Sequence, residues 1–146
     1  MTPPRLNADV IGARLQQIRV MLRDLEGVGA VDAERLEAEP VTRAAVERFV
    51  QAIVDLAIDV NSHIEVAELG EAPATGRQSF EYLVRCEAID ADLADRIAGA
   101  AGLRNVLVHR YVDIDVAKVA EAVPEVLDGF GSYVRQIAAF LLRRTE

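Results

Sequence analysis

The feature that most constrains this chain is a helical repeat of apolar residues that runs unbroken from Thr42 to about Leu69. Val46, Phe49, Ile53, Leu56, Val60 and Ile64 recur at the three-and-four spacing that places them on one face of an α-helix. A helix this long with a continuous apolar face must be covered by other helices, so it is expected to be the central one. Gly70 stops the pattern.

The flanking segments repeat the same period. Asn7 or Asp9 is placed to cap a first helix through Ile11, Leu15, Ile18, Leu22 and Leu25, closed by Gly27 and Gly29. An acidic stretch from Asp32 to Glu39 has room for about two turns before Pro40. The segment from Gly70 to Gly76, with Pro73, reads as a loop, and Thr75 followed by Gln78 fits a capping box that opens a shorter helix through Phe80, Leu83 and Val84. Asp90 caps the next helix, whose Gly99-Ala100-Ala101-Gly102 run removes side-chain bulk and would let another helix approach closely. The last pattern begins near Asp115 and carries Val126, Phe130, Val134, Ile137 and Leu141; Pro124 marks either the first residue of a new helix or a kink. No stretch alternates like a strand, and no repeat or linker divides the chain. The expectation is one all-α, up-and-down helical bundle over residues 1–146.

Composition narrows the function classes. With 146 residues the chain can bury a core without staples. A single cysteine, Cys86, excludes an intramolecular disulfide and reads as a small core residue; no Cys and His group has zinc-ligand spacing. No apolar run approaches the roughly 20 residues that span a bilayer, and Met1 to Arg5 lacks an apolar signal core, so a cytoplasmic protein without membrane insertion is expected. The net charge of −8 argues against broad coating of nucleic acid. Yet Gly102 to Val112 holds two arginines and no acid, a local basic island suited to docking a phosphate at one place.

That island carries the chemistry. Ile97, Ala101, Arg104 and Val108 fall on one helical stripe, so Arg104 interrupts an apolar face. A guanidinium there must be paired, or must point into a cleft that awaits an anion. Five residues on stands His109, an imidazole of the kind that serves as acid or base near neutral pH; Tyr111 follows. In an unbroken helix Arg104 and Tyr111 share a face while His109 projects well around the cylinder, so convergence of the three requires the helix to end or bend near His109. Asn105, four before His109, is placed to orient its ring. Asp55, Asp59 and His63 form an i, i+4, i+8 ladder that imitates metal ligands, but a solvated or hydrogen-bonded helix face is the better reading because no further His or Cys completes a site.

The spacing Arg104, four residues, His109, one residue, Tyr111 resembles the HepT toxins of the HEPN superfamily. The tight match covers Gly102 to about Asp115; Val112 stands where such proteins often carry an aromatic residue. The resemblance implies a helical bundle that acts as a metal-independent endoribonuclease without cofactor, with Arg104 and His109 catalytic. It also implies an RNA substrate, a homodimer with the site at its interface, a minimal nucleotidyltransferase antitoxin as partner, and Tyr111 as the acceptor of AMP. RNA cleavage of this kind uses the ribose 2′-OH as nucleophile and needs proton transfer plus a counter-charge for the phosphorane. Each chain offers one suitable histidine, since His63 lies on a different helix, and a two-fold dimer would supply a second His109. The alternatives are a non-catalytic helical partner of a nucleotidyltransferase, and an interaction domain in which the polar trio is structural.

Overall fold

The computed structural model describes residues 6–73, 75–109 and 114–145. Among them the chain forms six helices and no strand: α1 (Ala8–Gly27), α2 (Ala33–Ala38), α3 (Pro40–Leu69), α4 (Gly76–Arg85), α5 (Ala91–His109) and α6 (Val116–Thr145). None is long and apolar enough to cross a membrane. The helix starts follow local chemistry. Asn7 Oδ1 accepts from Val10 N at 3.1 Å, Asp32 Oδ1 from Arg35 N at 2.8 Å and Thr75 Oγ1 from Gln78 N at 3.1 Å. Asp90 Oδ1 accepts from Leu93 N at 2.7 Å, and Asp115 Oδ1 from Ala117 N at 3.0 Å. Gly70 closes α3 in the left-handed conformation, φ 77°, where a side chain would be strained.

Two boundaries differ from the sequence expectation. Helix α3 starts at Pro40 and not at Thr42, because proline at the first helical position gives up an N–H that has no partner there. Pro124 does not begin a new helix: it lies inside α6, on the exposed side, where it removes one hydrogen bond of the ladder without ending it.

Helix α3 touches all five other helices. Its apolar face, from Val46 and Val50 through Ile53, Val60 and Ile64, is fully buried. Phe80, Phe130 and Tyr133 meet edge to face with ring centroids 5.8 to 6.4 Å apart, joining α4 to α6. The Tyr133 hydroxyl, fully buried, sits against Asn61 Oδ1 and Ala57 O; Asn61 Nδ2 donates to Ser79 Oγ at 3.0 Å, and Ser79 Oγ donates to Gly76 O. This chain of satisfied polar groups ties α3, α4 and α6 together through the middle of the core.

Helix α5 is held at its start and its middle. Gln136 of α6 donates from Nε2 to Asp90 Oδ2 and accepts from Asp90 N, both at 2.8 Å. The close approach expected at Gly99 and Gly102 occurs elsewhere: a Cβ at either would meet nothing within 4 Å, whereas a Cβ at Gly129 of α6 would lie 2.7 Å from Ile97 Cγ2 of α5. The bulk-free residue that lets α5 and α6 close is therefore on the other helix. Gly129→Ala should lower stability, since overpacking costs about 1–3 kcal/mol against the roughly 1 kcal/mol that alanine gains in a helix. A urea midpoint unchanged or raised would show that Ile97 yields without cost.

Candidate active site

Arg104 does face a packed surface, and it is paired. Before it along the stripe Ile97 and Ala101 are buried and after it Val108 is half-buried, while the Arg104 side chain keeps 27% of its exposure. Its Nε donates to Asp55 Oδ1 of α3 at 2.5 Å, and its Nη1 donates to Asn105 Oδ1 at 3.1 Å. Asp55 was the unread half of this arrangement. In the sequence it stands 49 residues away in a ladder with Asp59 and His63, and nothing local marks it as the partner of Arg104. The ladder is a hydrogen-bonded helix face: Asp55 turns to α5, Asp59 accepts from Arg14 Nε of α1 at 3.0 Å, and His63 Nε2 lies 3.8 Å from Asp59. Arg104 of the basic island is thus met in space by a carboxylate of α3, Asp55.

Beside the pair lies an open cavity of about 510 Å³ between α3, α4 and α5. Arg104 and Asn105 line it from α5, Asp55 and Asp59 from α3, and Gly76 and Arg77 from the start of α4. Gly76 is where the buried polar chain from Tyr133 ends, so the core network fixes one wall of the cavity. A phosphate entering here would meet the remaining N–H groups of Arg104 and the exposed Arg77.

His109 is the last described residue of α5, is exposed, and does not line this cavity. Five residues along a helix turn the side chain about 140° and advance it about 7.5 Å, so within one chain Arg104 and His109 look in different directions. The structure brings Arg104, Asn105 and Asp55 together and leaves His109 apart. Asn105 makes its hydrogen bond to Arg104, so what it orients is the guanidinium. Tyr111 and Arg110 lie outside the described residues.

On the other side of α5 a second groove, about 610 Å³, runs along α6 and is floored by Gly99, Ala100 and Gly102. A Cβ added at Gly99 or Gly102 would meet no described atom within 4 Å, so the groove has open space above both.

The comparisons with known proteins bear on the family and the fold. The family described as "Ribonuclease HepT-like" matches residues 18–137. A protein of Aphanizomenon flos-aquae named "tRNA nuclease HepT" is 32% identical over 137 residues, covering 94% of this chain and 93% of its own. A protein of Shewanella oneidensis named "mRNA nuclease HepT" is 24% identical over 131 residues, covering 90% and 98%. Among solved structures, the tri-AMPylated Shewanella oneidensis HEPN toxin in complex with MNT antitoxin superimposes with a TM-score of 0.80 at 24% identity, over 91% of this chain and 99% of that one, which shows a shared fold. With a family match over most of its length and a relative above 30% identity, this chain belongs to the HepT-like ribonuclease family.

Proposed function

We propose that this protein is the toxin of a toxin-antitoxin pair, an endoribonuclease that cleaves RNA without a metal ion. The observation that carries the reading is Arg104, held half-buried by Asp55 and Asn105 at the edge of a cavity, on the helix that ends its described course at His109. In the proposed reaction the ribose 2′-oxygen attacks the neighbouring phosphorus while the bond from phosphorus to the 5′-oxygen breaks, leaving a 2′,3′-cyclic phosphate and a free 5′-hydroxyl. Arg104 binds the phosphorane oxygens through its fork. His109 of one subunit takes the 2′-proton, and His109 of the partner subunit protonates the leaving oxygen.

The shared site answers the separation of Arg104 and His109 within one chain. The groove over Gly99 and Gly102 supports a two-fold interface along α5, because a Cβ at either glycine would meet no described atom within 4 Å, which leaves room for a second backbone. Tyr111 is the proposed acceptor of AMP: its phenol oxygen attacks the α-phosphorus of ATP, pyrophosphate leaves, and the phenol proton passes to solvent. The added phosphate brings negative charge to the arginines that serve RNA, and its bulk fills the cleft. The relatives supply the precedent, since the structurally similar Shewanella oneidensis toxin is tri-AMPylated and bound to an MNT antitoxin. A minimal nucleotidyltransferase is therefore the proposed antitoxin, and the cytoplasm the proposed location.

Incubation with a mixed RNA pool in EDTA tests the activity. The wild-type protein should cleave RNA and spare DNA, which lacks the nucleophile. His109→Ala should lose about 10²- to 10⁴-fold and Arg104→Ala about 10²- to 10³-fold, both with helical spectra intact. Arg104→Lys should recover little, as an ammonium offers no planar fork. Asp55→Ala should reduce kcat by about 10- to 100-fold through a misplaced guanidinium. Equal cleavage of DNA, or full activity in the His109 variant, would remove the mechanism.

Two further outcomes are expected of the assembly and its silencing. Light scattering should report a dimer at micromolar concentration, and a fully active monomer would end the shared-site idea. After incubation with ATP and the nucleotidyltransferase, intact-mass spectrometry should show AMP additions on the wild-type chain and none on Tyr111→Phe. The same additions on both would place the modification elsewhere.

A further inference from the structure

The polar face of α3 continues past the active-site pair. Arg48, Ala52, Asp55 and Asp59 stand at i, i+4, i+7 and i+11, so they share one side of the helix. A further groove of about 390 Å³ lies along this side between α1 and α3, lined by Arg14, Gln17 and Met21 of α1 and by Arg48, Asp55 and Asp59 of α3. Asp55 and Asp59 also line the cavity of Arg104, so the two hollows share these walls and adjoin as a two-part cleft on α3.

Arg48 is the exception among the cations of this cleft. Arg104 is paired with Asp55 and Arg14 with Asp59. Glu47, the carboxylate next to Arg48 in sequence, is engaged by Arg43 at 2.9 Å. Arg48 itself is exposed and, among the described residues, has neither an ion pair nor a hydrogen bond. In a chain with 24 acidic and 16 basic residues, an arginine left without a carboxylate beside the active site offers a free charge to an incoming anion.

We infer that Arg48 holds a phosphate of the RNA substrate away from the scissile one, so that the strand runs across α3 from Arg104 to the groove between α1 and α3. Seven residues of helix separate Arg48 from Asp55, about 10 Å along the axis, a distance that a flexible single strand can bridge. The carboxylates in between do not bar the path, since Asp55 and Asp59 each already face a guanidinium. The inference rests on the ribonuclease reading and adds the direction in which the substrate leaves the site.

A fluorescein-labelled single-stranded RNA with 2′-O-methyl groups separates binding from cleavage, because its capped 2′-oxygen has no proton to lose and cannot attack. Binding by the full chain is measured between about 50 and 200 mM salt. Arg48→Ala should weaken binding about tenfold and reduce the salt slope by about one. Arg48→Glu should weaken it further, Arg48→Lys should retain most of it, and Arg19→Ala, on the far side of α1 near α6, should bind like the wild type. On unmodified RNA, Arg48→Ala should raise KM and leave kcat in place. Wild-type binding and cleavage in the Arg48 variants would overturn the inference while leaving the ribonuclease reading intact, as would a loss of kcat with binding unchanged. A wild-type chain that neither binds nor cleaves RNA would overturn both.

Discussion

Where helix α5 docks on α3, the guanidinium that interrupts its apolar stripe finds a counter-charge. Arg104 and Asp55 keep 27% and 37% of their side-chain exposure, an intermediate position in which neither full solvent screening nor full desolvation applies. Removing either partner would leave the other charge against a packed surface, which is the expensive state. The ion pair therefore sets the register of α5 on α3 as well as the orientation of the functional arginine. Around it the bundle is arranged to keep α5 still: the Asp90 to Gln136 clamp at its start, Gly129 beneath Ile97 in its middle, and the buried chain from Tyr133 to Gly76 across the cavity.

That buried chain has a cost and a return. Each of its groups is desolvated, and an unpaired one would cost about 1–3 kcal/mol. With Tyr133, Asn61 and Ser79 all satisfied, the network contributes specificity instead, because only one packing of α3, α4 and α6 brings these three side chains together. The start of α4, where Thr75 caps the helix and Ser79 bonds Gly76 O, is thereby fixed relative to the helix that carries Asp55.

How much of this was legible before the structure depends on the range of the interaction. The periodicities of α1, α3 and α6 and the caps at Asn7, Thr75 and Asp90 are local, and they could be read from spacing alone. Arg104 could be read as a charge in need of a partner, again from its own helix. The identity of that partner could not, because Asp55 is 49 residues away, and its ladder with Asp59 and His63, read as a solvated or hydrogen-bonded face, does not say which cation it meets. The Gly99 to Gly102 run did not name its neighbour for a related reason. Missing side chains announce that something can approach but not what, and within this chain the approach is made at Gly129. Pro124 was ambiguous because proline costs little at a helix start and much inside one, so local preference favours a new start; only the continuous packing of Val123, Val126, Phe130 and Tyr133 against the core carries α6 through it.

The pairing of Arg104 also bears on why the residue is an arginine. A guanidinium has five N–H donors in a rigid plane. Asp55 takes the one on Nε and Asn105 takes one on Nη1, which leaves both donors on Nη2 and one on Nη1 for a phosphate. A side chain can thus be anchored by its own protein and still present a fork to its substrate. A lysine held by the same carboxylate and amide would keep a single donor, aimed in no fixed plane. The carboxylate that lowers the local positive charge is the same group that fixes the geometry, so the proposed site trades attraction for orientation. Attraction must then come from cations that have no carboxylate of their own, and in this cleft Arg48 meets that condition.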